Sequence, residues 1–233
     1  PEMEVVGRAR DGQDAVLQVA RIKPDVVTLD VEMPVMDGLT ALEHIMKESP
    51  LPVIMLSSLT KKGTEQTLRA LQNGAVDFIA KPSSQNPRDM KNIADELKRK
   101  IQIAAGARKK LQNLYRGVEI SKNATPVQIN LKKKTLNTTE PLKKLVLIGT
   151  STGGPKALHQ VIPGLASNLG AGVLVVQHMP SGFTRSLAER LDGISSLYVK
   201  EAEDGEKVCP GCVYIAPGDH HLTVVRQVNK GQD

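Results

Sequence analysis

The stretch K-K-L-V-L-I-G-T-S-T-G-G-P-K-A-L, residues 143–158, decides the fold of the second half of the chain. Its apolar and β-branched residues, 145–148 followed by Thr150, predict a buried strand. Residues 149–154 break that strand because four of the six are Gly or Ser, and Pro155 opens a helical pattern. The stretch therefore predicts a strand, a sharp turn and a helix.

Ser151 stands at the apex of this turn, inside Gly-Thr-Ser-Thr-Gly at residues 149–153. The spacing matches G-x-S-x-G, a pattern in which a serine nucleophile is exposed at the end of a strand. Amides at the start of the following helix face the same space and could stabilise an oxyanion. The alternative is a glycine-rich turn that binds a phosphate or only connects two elements, since short motifs also match by chance.

Composition favours a globular protein with two modest domains. The chain has 233 residues, of which 40% are hydrophobic. No apolar run approaches the roughly 20 residues of a membrane helix, and the first residues lack a signal-peptide layout, so we expect a cytoplasmic protein. The two cysteines, Cys209 and Cys212, leave a redox or zinc site as an alternative, but the strand that follows them favours a simple turn.

The positive charge of the chain is concentrated in one segment. Residues 88–144 contain fifteen Lys or Arg and five Asp or Glu, whereas the whole chain has a net charge of +6. The whole chain has only two Phe, three Tyr and no Trp, so the aromatic residues that stack on bases are not interleaved with this positive charge. A nucleic-acid-binding regulator is therefore a minor hypothesis, and we find no helix-turn-helix pattern to support it.

The first half of the chain alternates predicted strands and helices. Residues 3–9 predict a strand, 11–23 an amphipathic helix and 25–30 a buried strand; a helix, strand, helix and short strand follow up to residue 80. This order indicates a parallel sheet with helices on both faces. The chemistry of such sheets lies beyond the carboxyl ends of the strands.

Three of these strand ends carry polar side chains: Asp30, Ser57 and Lys81. An aspartate there can accept a phosphoryl group, while a hydroxyl and an ammonium bind its oxygens. Taken singly, Asp30 could cap a helix, Ser57 could be a loop hydroxyl and Lys81 a solvated charge. Their joint spacing favours a phospho-acceptor site.

The motifs DVVTLDVEMPVMDG, MLSS and FIAKP resemble the receiver domain of two-component response regulators. The resemblance implies that Asp30 is phosphorylated, that Ser57 is the switch hydroxyl, that Lys81 contacts the phosphate and that Phe78 is the aromatic switch residue. It also implies a Mg²⁺ site with Asp30 and the backbone carbonyl of Glu32 as ligands. The family's first strand and its acidic metal ligands have no match here, so we expect a fragment with an incomplete Mg²⁺ site.

A long helix and a linker follow the receiver-like region. Apolar residues recur at helical spacing from Met90 to Leu114, with the basic runs KRK and RKK predicted on the opposite, solvent side. After Tyr115 the periodicity ends in a segment rich in Thr, Asn, Lys and Pro. We predict a receiver domain at residues 1–104, a basic linker at 105–141 and a catalytic domain from 142 to 233.

His178 follows the next predicted strand after the Ser151 turn, and a helix follows it with Ser181 as a candidate cap. Neighbouring parallel strands would bring Ser151 and His178 to one edge, as a Ser-His pair requires, although a histidine at a strand end is more often structural. Residues 197–225 predict a hairpin-rich continuation. His220 and His221 could line the site, but we favour surface positions; His44 and His159 receive no function.

GTSTGGP, QHMPSGFTRSLAERL and VYIAPGDHH together resemble the catalytic domain of the chemotaxis protein-glutamate methylesterases, the CheB family. The resemblance implies Ser151 as nucleophile, His178 as general base and acid, and Thr152 as a neighbour in the site. It implies demethylation and deamidation of chemoreceptors, with a chemotaxis histidine kinase as phosphodonor and no cofactor for hydrolysis. The family's catalytic aspartate lies in a later turn, so we expect an incomplete triad, and Asp219 is not its match.

The expected fold class is α/β, with two doubly wound parallel-sheet domains. The first is a flavodoxin-like receiver without its first strand, and the second is a Rossmann-like Ser-His hydrolase domain without its C-terminal part. The alternative function is a phosphorylatable receiver fused to a non-catalytic domain that binds phosphate or a partner.

Overall fold

A computed structural model describes residues 3–82, 87–117 and 141–226 of the chain. The first region holds a parallel sheet in the order β1-β2-β3, and the second holds a parallel sheet in the order β4-β5-β7-β6. The predicted fold class of two parallel-sheet α/β domains is thereby confirmed. None of the described helices is long and apolar enough to span a membrane.

The elements of the first region are α1 (Gly12–Ile22), β1 (Val27–Asp30), α2 (Gly38–Glu48), β2 (Val53–Ser57), α3 (Lys61–Gln72), β3 (Asp77–Ala80) and α4 (Pro87–Gly117). Side chains alternate across β2, so Val53 and Met55 pack with α1, α2 and α3, whereas Ile54 packs with α4. The sheet is covered on both faces for this reason.

The elements of the second region are β4 (Leu145–Thr150), α5 (Gly154–Val161), β5 (Gly172–Gln177), α6 (Phe183–Ile194), β6 (Tyr198–Glu201) and β7 (Cys212–Ile215). Helices α5 and α6 pack on the face formed by Val173, Val175 and Val213. In the described part of the chain, the opposite face carries Leu174 and Tyr214, which pack against Ala202 and Cys209 from a loop.

Two strand predictions are wrong. Residues 3–9 form no strand, and Val5 and Val6 are exposed, because no neighbouring strand pairs with this segment within the described residues. Strand β4 exists as expected but is not buried, and Leu147 is 74% exposed. Strand β4 lies at the edge of the sheet beside β5, and among the described residues few helix or loop residues pack on the faces to which its side chains point.

The predicted hairpins after residue 197 are also wrong. Strand β7 pairs in parallel with both β5 and β6, so the chain crosses over between β6 and β7 instead of turning back antiparallel. The Cys-Pro-Gly-Cys segment forms the predicted turn, with Gly211 at φ 75°. Burial raises the pKa of the Cys212 thiol and keeps it protonated.

Two further predictions fail at single residues. Ser181 does not cap α6, because Gly182 occupies the cap position at φ 85° with no side-chain hydrogen bond. Lys100, expected on the solvent side of α4, is buried against Asp77 and Phe78. The predicted domain boundaries stay a prediction. Helix α4 continues across the predicted boundary between residues 104 and 105, and residues 118–140 of the predicted linker lie outside the described residues.

Candidate functional site

Ser151 and His178 lie side by side at the carboxyl edge of the second sheet. The parallel register pairs Thr150, the last residue of β4, with Gln177, the last residue of β5. Ser151 and His178 are therefore the residues that directly follow these two strands. The His178 amide donates to the Thr150 carbonyl over 3.1 Å and holds the two strand ends together. The sequence prediction of neighbouring strand ends is therefore confirmed.

Both side chains at this edge are open to solvent. Ser151 and His178 are exposed, and no hydrogen bond joins the Ser151 hydroxyl to the His178 ring in the described part of the chain. Among the described residues, no carboxylate contacts that ring either, since Asp219 instead accepts the Ser181 amide at 3.1 Å. A serine and a histidine are thus adjacent without the hydrogen bond that a working pair needs.

The turn after Ser151 supplies backbone donors. Gly153 takes the left-handed conformation with φ 77°, which glycine adopts without strain, and α5 begins at the next residue. The Gly154 amide donates to the Ser151 carbonyl over 2.8 Å. Within the described residues, the amides of Thr152 and Gly153 donate to no protein group, so they remain available for an oxyanion.

The predicted site neighbour Thr152 is half-buried, and its hydroxyl has no hydrogen-bond partner among the described residues. Sequence reasoning missed the buried residue beside it, Gln177, whose amide nitrogen contacts the carbonyls of both Ser151 and His178. The only sequence signal was its place, a polar residue at the end of an apolar strand. His220 and His221 are exposed, as predicted.

The candidate phospho-acceptor site lies at the carboxyl edge of the first sheet. The Lys81 ammonium pairs with the Asp30 carboxylate over 2.5 Å, and the Glu32 amide donates to the other Asp30 oxygen over 3.1 Å. The Lys81 amide also donates to the Ser57 carbonyl over 2.7 Å. The three strand ends therefore meet, and Lys81 is paired with Asp30, the candidate phospho-acceptor.

The contacts of the Ser57 and Phe78 side chains in this structure are with residues other than Asp30. The Ser57 side chain is fully buried, and its hydroxyl donates to the Gly63 carbonyl over 3.1 Å. Phe78 is buried and stacks on Phe183 of α6, with ring centroids 4.5 Å apart. Phe78 thus belongs to the contact between the two domains.

The described residues supply only part of the Mg²⁺ site that the receiver resemblance implies. Mg²⁺ requires six oxygen ligands in octahedral geometry, usually including one or two carboxylates. Within the described ranges, no cluster of three or more His, Cys, Asp or Glu residues surrounds a common point, and the Asp30 carboxylate is paired with Lys81. Asp30 and the Glu32 carbonyl alone would hold the ion weakly.

A polar chain of three residues crosses the contact between the domains. Arg190 of α6 donates to the side-chain oxygen of Gln72 in α3, and the Gln72 amide nitrogen contacts Nε2 of His159 in α5. Burial, followed by the positive charge of Arg190, lowers the pKa of His159. Sequence reasoning missed this role because His159 reads as an ordinary residue of an amphipathic helix.

The comparisons with known proteins divide the chain in the same way as the two sheets. The family described as "Response regulator receiver domain" matches residues 1–94, and the family described as "CheB methylesterase" matches residues 146–233. A match to the receiver family generally indicates a domain whose phosphorylation depends on Mg²⁺. The two matches leave a central segment that belongs to neither family.

Curated relatives match nearly the whole chain. The "Protein-glutamate methylesterase/protein-glutamine glutaminase 1" of Syntrophomonas wolfei is 55% identical over 224 residues, which are 95% of this chain and 61% of the relative. The corresponding protein of Thermotoga maritima is 48% identical over 234 residues, covering 99% of this chain and 63% of the relative. The chain thus spans less than two thirds of the length of these relatives.

One solved structure with high identity is the methylesterase catalytic domain of Thermotoga maritima CheB. It is 61% identical, has a TM-score of 0.36, and covers 37% of this chain and 46% of its own. The family assignment itself rests on the two family matches and on the relatives. From them we conclude that the chain joins a receiver-family region, residues 1–94, to a CheB methylesterase region, residues 146–233, and that it is similar over nearly its whole length to the protein-glutamate methylesterases.

Proposed function

We propose that this protein is a phosphorylation-regulated hydrolase that demethylates glutamate methyl esters on chemoreceptors and deamidates receptor glutamines. The observation that supports it best is the register between Thr150 and Gln177, which makes Ser151 and His178 the next residues on adjacent parallel strands. The names of the relatives supply the ester and amide substrates. The proposed partners are membrane-bound receptors and a chemotaxis histidine kinase, met in the cytoplasm.

In the proposed reaction, the His178 ring accepts the hydroxyl proton of Ser151 while the serine oxygen attacks the ester carbonyl carbon. The oxyanion that forms would accept hydrogen bonds from the Thr152 and Gly153 amides. As the tetrahedral intermediate collapses, His178 gives the proton to the departing methoxy oxygen, which leaves as methanol, or to the departing amide nitrogen of a glutamine, which leaves as ammonia. Water, deprotonated by the same ring, cleaves the acyl-serine and leaves glutamate.

A conformational adjustment has to precede this reaction, because Ser151 and His178 share no hydrogen bond in the described structure. A carboxylate that fixes the imidazole tautomer is worth about 10⁴-fold in rate in a serine protease. None of the described residues supplies this carboxylate to His178. We therefore propose a slow basal rate for the arrangement described here.

The experiment is methanol release from methylated receptor membranes by the wild type, Ser151→Ala and Ser167→Ala. Ser167 is an exposed serine in the loop before β5 and serves as the matched control. We expect Ser151→Ala to lower this slow rate roughly 10²-fold, because the losses of triad members are not additive, and Ser167→Ala to keep it. Equal methanol release by all three proteins would refute the hydrolase function.

The same variant separates hydrolysis from the competing binding function, in which the free amides of the turn hold a phosphate. In that case Ser151→Ala would leave the binding of inorganic phosphate, measured by calorimetry, nearly unchanged. Phosphate binding without any Ser151-dependent methanol release would favour the binding module.

We further propose that phosphorylation of Asp30 controls the hydrolase through the contact between the domains. Lys81 pairs with Asp30 and lies three residues after Phe78, which stacks on Phe183 of α6. A phosphoryl group on Asp30 would draw Lys81 to new oxygens and change the end of β3 that carries this aromatic contact. Once Asp30 is phosphorylated, the proposed change involves only Lys81, the end of β3 and the aromatic contact of Phe78.

Acetyl phosphate tests this control. We expect it to raise methanol release by the wild type and by Asp25→Asn, and to have no effect on Asp30→Asn. Asp25 lies just before the same strand, at its opposite end, and provides the matched carboxylate. Equal stimulation of both variants would show that Asp30 is not the acceptor.

A further inference from the structure

Gln177, the last residue of β5, is a buried polar residue at the edge where the reaction is proposed. Gln177 is only 5% exposed, whereas its neighbours at this edge, Ser151 and His178, are both exposed. The register pairs Gln177 directly with Thr150, so its amide group lies at the junction of the two strand ends.

The Gln177 amide nitrogen joins the two candidate reactive residues. It donates to the Ser151 carbonyl over 3.1 Å and to the His178 carbonyl over 3.2 Å. Both acceptors are carbonyl oxygens, so only the nitrogen of the amide can make these bonds. The orientation of the Gln177 amide is therefore fixed by its partners.

This orientation leaves the other end of the amide without a partner. The Gln177 Oε1 atom is buried and accepts no hydrogen bond in the described part of the chain. A buried acceptor without a donor costs free energy of folding. The opposite orientation of the Gln177 amide would be worse, because the carbonyls of Ser151 and His178 would then both face an oxygen. The unpaired oxygen is thus the consequence of keeping both contacts.

The residue at position 154 makes room for this oxygen. A Cβ atom on Gly154 would lie 1.9 Å from Gln177 Oε1 and 2.8 Å from Thr150 Cβ. The Gly154 amide also donates to the Ser151 carbonyl, which therefore accepts from Gly154 and from Gln177. Gln177 and Gly154 together hold the main chain of Ser151 from two sides.

We propose that Gln177 is a positioning residue that fixes the main chain of the nucleophile relative to that of the base. The inference rests on the proposed hydrolase function. Strand β4 packs on one neighbour only and its side chains from Leu145 to Leu147 are exposed, so few other contacts hold its end. Because a displacement of about 1 Å can cost 10²-fold in rate, two hydrogen bonds at this junction matter for turnover.

The test compares Gln177→Met and Gln177→Glu with the wild type in the intact protein. Methionine has a similar length but no donor, so we expect kcat to fall on the order of 10-fold to 10²-fold while KM changes less than about twofold. An ionised glutamate would repel both carbonyls, whereas a protonated one can donate to one of them. The ratio of Gln177→Glu to wild-type kcat should therefore rise as the pH falls from 8 to 5.5.

A second variant tests the same junction from its other side. Gly154→Ala should displace the Gln177 amide and lower kcat as Gln177→Met does, and the two changes together should be less than additive. Gly193→Ala is the matched control, because Gly193 lies in α6 with open space at its Cβ position. We expect this control to keep the wild-type kcat.

Hydrogen exchange at the amides of residues 150–153 gives a readout that needs no turnover, and it should be faster in Gln177→Met. Wild-type exchange rates in this variant, or a wild-type kcat with a flat pH ratio for Gln177→Glu, would overturn the inference. A wild-type protein without Ser151-dependent hydrolysis would instead refute the proposed function, and the exchange rates would still decide whether Gln177 ties the two strand ends together.

Discussion

At the scale of single residues, Lys100 shows how strongly burial changes the role of a charge. Its ammonium lies 3.2 Å from the Asp77 carboxylate and 2.6 Å from the Phe78 carbonyl. The side chains of Lys100 and Asp77 are 6% and 8% exposed, so neither charge is well solvated alone. Lys100 also pairs with Glu96 over 3.0 Å, so it is Asp77 that would be left as a buried charge without an ion pair if Lys100 were removed.

We expect Lys100→Met to lower the free energy of unfolding by about 3 kcal/mol, since it leaves the Asp77 carboxylate unpaired. Lys98→Met is the matched control, because the Lys98 side chain is 66% exposed and its ion pair with Asp95 is long, at 3.9 Å. That change should stay within about 0.5 kcal/mol. Urea unfolding of both variants measures the difference, and equal losses would contradict the role assigned to Lys100.

Sequence reasoning could predict the residues at strand ends but not their contacts. The placement of Asp30 and Lys81 at one edge, and of Ser151 and His178 at another, could be predicted because a parallel sheet gathers the carboxyl ends of its strands. Lys100 and Gln177 were missed because their roles depend on packing between distant segments. In the sequence, Lys100 is one of three basic residues in a row, and only tertiary structure distinguishes the buried one.

At the scale of elements, the start of α2 is fitted closely against the end of β1. Asp37 caps the helix by accepting the Thr40 amide, and the Gly38 amide donates to the Val31 carbonyl over 3.0 Å. A Cβ atom on Gly38 would lie 1.8 Å from the Asp30 carbonyl oxygen. Glycine at this position lets the helix approach the backbone of the candidate phospho-acceptor.

Gly38→Ala should therefore destabilise the first domain by about 3 kcal/mol and reduce phosphorylation of Asp30, because backbone cannot move away as a side chain can. Gly106→Ala provides the control, since Gly106 is exposed in α4 with nothing within 4 Å of a Cβ atom. Alanine there should be neutral or stabilising by up to about 1 kcal/mol. Thermal unfolding and labelling with acetyl phosphate measure the two effects; normal labelling of Gly38→Ala would show that this fit is unimportant.

Most helices and strands were predictable from periodicity and glycine or proline signals, whereas strand order was not. Strands β6 and β7 are four residues each, and the ten residues between them contain Gly and Pro as hairpin loops do. Their parallel pairing depends on β5, which is distant in sequence and accepts β7 as its neighbour. The exposure of β4 likewise depends on which residues cover it, information that a local pattern does not contain.

At the scale of the whole molecule, the two domains share apolar and polar contacts. Phe78 stacks on Phe183, and the chain of Arg190, Gln72 and His159 lies beside them. Arg190 can only donate, so it fixes the oxygen of Gln72, and the Gln72 nitrogen must then donate to His159. His159 Nε2 therefore has to accept, which only the neutral ring with its proton on Nδ1 can do.

This arrangement predicts that acid weakens the contact between the domains. The pKa of His159 is lowered from its usual value of about 6.5, so the separated or unfolded chain binds the proton first as the pH falls below that value. The contribution of His159 to stability is therefore fully present above about pH 6.5 and declines as the pH falls below that value. The positive charge of Arg190 opposes protonation of His159, while burial and then Arg69 lower the pKa of Arg190 itself and Glu65 raises it.

We expect the melting temperature of the wild type to fall more between pH 7 and pH 5 than that of His159→Gln, which has no ring to protonate. His44→Gln is the matched control, because His44 is exposed on α2 and its ring pairs with Glu48 of the same helix. The melting temperature of His44→Gln should change between pH 7 and pH 5 as that of the wild type does. The same slope for all three proteins would exclude His159 as a sensor of acid.

The order of strands in the second sheet also has a consequence for biosynthesis. Because β7 lies between β5 and β6 although it is the last of them to leave the ribosome, the nascent chain cannot close this sheet before residue 215 emerges. Until then β6 has no strand to pair with, and one edge of β5 stays open to wrong partners. We expect the receiver half to fold first during translation, and the second half to be the part that needs a chaperone.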